Sequence, residues 1–149
     1  MPVDAIRFRF WGVRGSIASP GPQTARYGGN TPCVEIRAGG RLIIIDGGSG
    51  LRALSDQLIA SSQPIDADFF LTHLHWDHIQ GIPFFTPAFR PGNRLRIHGE
   101  RKNGLGLKRH LEDQMRDPYF PVPLSIMAGA ITFHEIQPQE AVVLGPVRV

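Results

Sequence analysis

Cysteine is almost absent: Cys33 stands alone among 149 residues, so no disulfide can form within the chain, and nothing requires an oxidising compartment. Long apolar runs are also missing. The longest, residues 42–45, is far shorter than the roughly 20 residues that cross a bilayer. The start, Met1-Pro2-Val3-Asp4-Ala5-Ile6-Arg7, has no apolar signal core. These absences predict a soluble, cytoplasmic protein with no membrane partner. Lysine is scarce, with only Lys102 and Lys108, so the cations are mostly arginine. The pI is 9.6 and the net charge +3, but no run of Lys or Arg occurs. Composition alone therefore gives no reason to expect non-specific nucleic-acid binding. Arginine suits bidentate phosphate contacts, although the codon usage of a GC-rich genome explains its excess as well.

Apolar residues make up 42% and charged residues 19%, the balance of a folded domain and not of a disordered chain. Glycine (17) and proline (13) cut it into short elements. Residues 6–11 alternate apolar side chains with Arg7 and Arg9, the period of a half-buried strand. Residues 12–30, rich in Gly, Pro, Ser and Arg, read as a long loop of the kind that carries function. Strands over 33–37 and 41–46 are joined by Ala38-Gly39-Gly40 as a hairpin turn, and the second, apolar throughout, is expected to be covered on both faces. Residues 49–61 form a helix capped by Ser49, with Leu51, Leu54, Leu58 and Ile59 on one stripe. A strand over 67–72 follows, then a short helix from about His78 to before Pro83, and a strand over 95–98. A helix over 105–115 carries Leu107, Leu111 and Met115, and strands over 131–136 and 141–149 close the chain. The order predicts an α/β protein, helices on a mixed sheet, in one domain over 1–149. The last residues stop inside an apparent strand, so the chain is expected to be truncated.

The chemistry concentrates in His73-Leu74-His75-Trp76-Asp77-His78. Residues i and i+2 in extended geometry point the same way, so His73 and His75 can meet one metal ion, while Asp77 and His78 reach a second site nearby. Imidazole and carboxylate are the ligands of catalytic Zn²⁺. Such an ion brings the pKa of bound water to about 7. Three histidines and an aspartate within six positions at a strand end are not the pattern of ordinary core packing.

These residues, with Thr72 before them and Gly81 after, resemble the HxHxDH signature of the metallo-β-lactamase superfamily. Asp46-Gly47-Gly48-Ser49-Gly50 is similar to that family's first motif. The segments Gly12-Val13-Arg14-Gly15-Ser16 and Gly28-Gly29-Asn30-Thr31 resemble the ribonuclease Z-like and phosphodiesterase-like branch. The resemblance implies the N-terminal half of an αββα sandwich, a mixed sheet with flanking helices. It implies two divalent metal ions, Zn²⁺ first with Mn²⁺ or Fe²⁺ as alternatives. His73 and His75 would bind one, and Asp77 (also the catalytic carboxylate) and His78 the other. Asp46 would stand behind them, steadying the motif loop by hydrogen bonds; read by itself, Asp46 serves equally as a cap for the helix near Ser49. The implied activity is hydrolysis by a metal-bound hydroxide in a dinuclear site, on a phosphodiester such as a cyclic nucleotide or RNA. Thioester or lactone hydrolysis is the alternative, and so is a non-catalytic binding or regulatory domain with an incomplete site. The family's remaining ligands have no counterparts: His98, His110 and His134 read as structural or surface residues.

Other features compete less well. Gly48-Ser49-Gly50-Leu51-Arg52-Ala53 fits a dinucleotide-binding turn, but its acidic partner, Asp66 or Asp68, precedes the next strand and does not end it. Arg14, Ser16 and Thr31 are candidate contacts for a substrate phosphate. Cys33 reads as a buried, inert thiol, Trp76 as a residue that packs the motif loop rather than stacking on a substrate base, and residues 83–89 as a covering loop or dimer contact, with the rim of a substrate pocket as the alternative. Half a sandwich leaves apolar faces open. The partners expected are therefore a small-molecule or nucleotide-like substrate and either a second copy, as a homo-oligomer, or a missing C-terminal half over the open face.

Overall fold

The apolar run at residues 42–45 seeds the sheet because both its faces find cover. In the computed structural model, which describes residues 5–149, it lies in strand β3 (Arg41–Ile45). The reading of the N-terminus as free of a signal core rests mainly on residues 1–4, outside the described residues. Six strands form one sheet in the order of the chain: β1 (Arg7–Gly12), β2 (Cys33–Ala38), β3, β4 (Asp66–Phe70), β5 (Arg94–Gly99) and β6 (Ala130–Glu135). β1, β2 and β3 pair antiparallel, through the tight turn at Gly39 and Gly40; β3 to β6 pair parallel. The sheet is mixed, as expected, because helical crossovers replace hairpins after β3.

Helix α1 (Gly50–Ala60) is the β3–β4 crossover, and α3 (Leu107–Gln114) lies between β5 and β6. Their stripes, Leu51, Leu54 and Leu58 on α1 and Leu107 and Leu111 on α3, are buried with Leu42, Ile44, Phe69, Leu95 and Ile97 in one core. Residues 83–89 also close over this core: Phe85 is buried, edge-on to Phe69. Ile59 lies at the edge of its stripe, half-buried. The short motif helix α2 (Trp76–Ile79) starts two residues earlier than the sequence suggested.

On the opposite face, Ile43 and Phe70 pack with Leu144. Residues 141–149 are not one strand but a hairpin of β7 (Val143–Leu144) and β8 (Val147–Arg148). Gly145 takes a positive φ of 66° and Pro146 has no N–H to give to a ladder, so the chain reverses there. The hairpin covers the middle of this face. Phe8 and Phe10, placed on it by pairing with Ile36 and Val34, remain 61% and 66% exposed. Among the described residues, no helix is long and apolar enough to cross a membrane.

The same face holds a buried charge network. Asp68 is fully buried and accepts hydrogen bonds from Arg41, from Arg96 Nε at 2.7 Å and from His98 Nε2 at 3.2 Å. His98 stacks between Phe70 and His134, at centroid distances of 4.4 and 5.0 Å. Burial pushes the Asp68 carboxyl up, but the hydrogen bonds from Arg96, Arg41 and His98 outweigh it and bring its pKa from 3.8 to about 2. A depressed carboxylate stabilises the fold above its unfolded pKa and loses that contribution as the pH falls through the folded value; here about 2 kcal/mol is at stake. We expect Asp68→Asn to destabilise the protein at neutral pH and to flatten the loss of stability between about pH 5 and pH 2. Urea denaturation across that range checks it; equal acid slopes for the two proteins would show that Asp68 does not govern the acid limb.

Candidate metal centre

β3 and β4 end side by side, Ile45 opposite Phe70, and the residues just beyond them build the site. Asp46 N–H donates to Phe70 O at 2.9 Å, and Asp46 adopts φ 61°, the left-handed region that an L residue enters only at a cost. That turn aims its carboxylate at the motif loop. Asp46 Oδ1 accepts the Thr72 N–H at 2.8 Å, and the Thr72 hydroxyl lies 2.8 and 2.9 Å from the two carboxylate oxygens. His78 Nδ1 donates to Asp46 Oδ2 at 2.8 Å. The single proton of the Thr72 hydroxyl goes to Asp46, so Thr72 Oγ1 accepts from His73 Nδ1 at 3.1 Å. These bonds place a proton on Nδ1 of both imidazoles and leave the Nε2 edge of each ring turned away from Asp46 and Thr72.

The three rings cluster: His73 lies 4.4 Å from His75 and 4.0 Å from His78, centroid to centroid. Asp77 Oδ2 is 3.4 Å from His78 Nε2. Burial, with the neighbouring His78 and His75, holds the His73 pKa below its ordinary value, favouring the neutral form a metal requires. The Ser16 N–H, 2.8 Å from Asp77 Oδ2, is the main cause that keeps the Asp77 carboxyl below its usual range.

The glycine turn after Asp46 is pressed against the motif. Gly47 N–H donates to His78 O at 2.6 Å, and Gly81 N–H to Gly47 O at 2.7 Å. A Cβ on Gly48 would lie 2.3 Å from Asp77 O and 2.4 Å from Thr31 Oγ1. This contact also removes the dinucleotide reading. The N–H groups of Gly47, Gly48, Ser49 and Gly50, which would cradle a pyrophosphate, are spent on His78 O, Pro32 O, Thr31 Oγ1 and Thr31 O.

Several expected roles change. Thr31 is fully buried; its hydroxyl accepts from Ser49 N–H at 2.7 Å and from Gln80 Nε2 at 2.8 Å, so it braces the turn and does not face a substrate. Ser49 stands at the N-cap position of α1 but its side chain makes no capping bond: its Oγ accepts the Thr31 N–H at 2.9 Å and reaches Asn30. Asp46 does not cap the helix either, because its oxygens are turned to Thr72 and His78. Ser16, expected at a substrate phosphate, gives its backbone N–H to Asp77 from the centre of a γ-turn, φ 70°, closed by Ile17 N–H to Gly15 O at 2.9 Å. Arg14 is exposed on the same loop. Trp76 does not pack the motif loop: it is 65% exposed beside the histidines, because it opens α2 on the solvent side. Cys33 is buried, and burial, then the Asp46 and Glu35 charges, push its thiol far up. His110 and His134 bond Lys102 O and the Thr132 hydroxyl. Thr72 received no role from the sequence, although a hydroxyl at the strand end directly before two histidines was the available signal.

The donor set fits a divalent metal in kind: two imidazoles held through Nδ1 by Asp46 and Thr72, a third imidazole, and an ionised carboxylate. It does not yet fit in number. Among the described residues, no three His, Cys, Asp or Glu side chains are grouped so as to hold an ion.

With this geometry in place, relatives decide the family. The profile described as "Metallo-beta-lactamase superfamily" matches residues 26–138. The chain belongs to the metallo-beta-lactamase superfamily. Within it, a ribonuclease Z of Bradyrhizobium sp. (strain ORS 278) is 32% identical over 120 residues, 70% of this chain and 38% of the relative. A ribonuclease Z of Pyrococcus horikoshii is 29% identical over 107 residues, 69% and 33% respectively. The crystal structure of a metallo-beta-lactamase fold protein from Bacillus subtilis superposes with a TM-score of 0.62 at 17% identity, over 96% of this chain and 50% of that one. The chain thus spans about a third of the length of these curated relatives and half of that structure. The fold is that of the superfamily, over part of its length.

The close approach at Gly48 yields a test of the turn–motif contact. Gly48→Ala is expected to lower stability by about 1–3 kcal/mol, as overpacking does. Gly15→Ala, where a Cβ meets nothing within 4 Å, is expected to change it by less than about 0.5 kcal/mol. Urea denaturation of both variants decides; equal effects would mean that the turn yields freely.

Proposed function

We propose that the protein is a metal-dependent hydrolase of phosphodiester bonds, in which His73, His75, Asp77 and His78 are its contribution to a two-metal site. The observation that carries this reading is the pair of imidazoles whose Nδ1 protons are taken up by Asp46 and Thr72, an arrangement suited to nitrogen ligation and wasted on a packing histidine. Divalent ions there, zinc first with manganese or iron as alternatives, would supply Lewis acidity and hydroxide at neutral pH. The chain's own residues do the positioning. Asp46 fixes the ring of His78, Thr72 fixes that of His73, and the Ser16 N–H holds one oxygen of Asp77, the catalytic carboxylate of this reading. The ligands still needed come from a further segment or a second copy of the chain. A phosphodiester, RNA or a cyclic nucleotide, is favoured over a thioester or lactone because both curated relatives are named ribonuclease Z.

The test measures metal content together with cleavage of bis(p-nitrophenyl) phosphate and of a thioester. The protein is expected to carry metal and to cleave the diester. His75→Ala loses both, and Asp46→Asn weakens metal binding roughly 10–100-fold. A folded protein without metal or hydrolysis would support the non-catalytic alternative. Thioester cleavage with the diester untouched would replace the substrate class.

A further inference from the structure

The chain has two tryptophans, and the fold uses one of them. Trp11 packs against the core, donates its indole N–H to Glu35 at 3.1 Å and lies under the Arg9 guanidinium, 3.9 Å from the ring centroid. Trp76 is 65% exposed, and among the described residues no ring, cation or hydrogen-bond acceptor is paired with its indole. A tryptophan can remove 150–250 Å² of surface from water, so one left open in a folded segment keeps a large contact area free. Its place is specific. His75 and Asp77 flank it in sequence, each about 3.8 Å away from Cα to Cα. The cluster opens to solvent on its side: His75 and Trp76 are exposed, His73, Asp77 and His78 half-buried, and Ile79 buried. As the first residue of α2, Trp76 has a Cβ that tilts toward the N-terminal end of the helix, where His75 lies. The backbone beneath the indole is held firmly. Gln80 N–H donates to Trp76 O at 2.8 Å and His78 N–H to His75 O at 2.9 Å, while the Gln80 side chain is fixed to Thr31 at 2.8 Å. A flat aromatic surface thus stands on a braced turn at the open side of the ligand cluster.

We propose that the Trp76 indole is the stacking surface for the nucleobase next to the phosphodiester held at the metal centre. The proposal rests on the phosphodiesterase reading above and adds a determinant of specificity: the residue selects nucleoside diesters over alkyl diesters. Stacking on an aromatic side chain accepts every base, because each has a π-face, and its strength follows the stacking power of the base. A surface already fixed in place costs little ordering when the base arrives. The ligand histidines can hold a phosphate of any ester; a base can be told from an alkyl group only by a partner of its own shape.

The test compares kcat/KM for thymidine 5′-(p-nitrophenyl phosphate) and for methyl p-nitrophenyl phosphate, which release the same chromophore and differ in the nucleoside. Trp76→Ala is expected to lower the ratio of the two values about tenfold, and Trp76→Leu, apolar but without a π-face, to lower it similarly. Trp76→Phe, which keeps an aromatic face, holds the ratio within about threefold of the wild type. A general loss of folding or metal lowers both values together and leaves the ratio where it was. Fluorescence gives a readout free of turnover: adenosine 5′-monophosphate quenches tryptophan emission saturably, ribose 5-phosphate does not, and the quenching disappears in Trp76→Phe, where Trp11 is the remaining tryptophan. Hydrolysis of both esters at a ratio indifferent to Trp76→Ala, or emission that the nucleotide leaves unchanged, overturns the stacking surface and leaves the activity standing. Trp76-dependent quenching without hydrolysis of either ester overturns the proposed activity and leaves the stacking surface standing.

Discussion

One carboxylate in an unfavourable backbone conformation ties the site together. Asp46 follows a buried strand, enters the left-handed region, and from there reaches the Thr72 N–H, the Thr72 hydroxyl and His78 Nδ1. The strain, of order 1–3 kcal/mol, is offset by three hydrogen bonds to a charged acceptor, each stronger than a neutral one. The direction of the His78 and His73 rings, the proton on Nδ1 of each, and the path of the loop all follow from where this side chain points. The glycines after it serve the same end, since only a residue without Cβ lets the turn lie on the backbone of the motif helix.

A second layer of support comes from the long loop after β1. Asn30, Thr31 and Ser49 exchange hydrogen bonds beneath the glycine turn, and Gln80 ties them to the end of the motif helix. The γ-turn at Ser16 reaches the motif from the other side. Polar residues here hold one another and the ligand-bearing loop. The overall charge is only +3 although arginine is abundant, because many arginines are matched by nearby carboxylates, as in the Arg94, Arg96, Asp66 and Asp68 group.

Much of the scaffold could be read from period and punctuation. The alternation in residues 6–11, the apolar run at 42–45, and Leu107, Leu111 and Met115 on one helical face each record burial that depends on near neighbours in sequence. The histidine cluster was legible because its members are within six positions. What escaped was long-range or conformational. Thr31 reads as an exposed loop hydroxyl until β1 and α1 close over it, and the Ser16 N–H has no side-chain signature. The final hairpin was taken for a strand because Gly145-Pro146 breaks an otherwise apolar segment only when its positive φ is known. Trp76 was expected to pack because tryptophan usually does, yet the first position of α2 faces outward.

The spatial order of the sheet equals the order of its strands in the chain. Each strand needs only the one made before it, so no segment must wait for a distant partner and no loop must be threaded. Residues 12–81 already contain Asp46, the glycine turn, the γ-turn and all four candidate ligands. A ribosome releasing this chain from its N-terminus thus delivers all four candidate ligands before β5 and β6 have been synthesised.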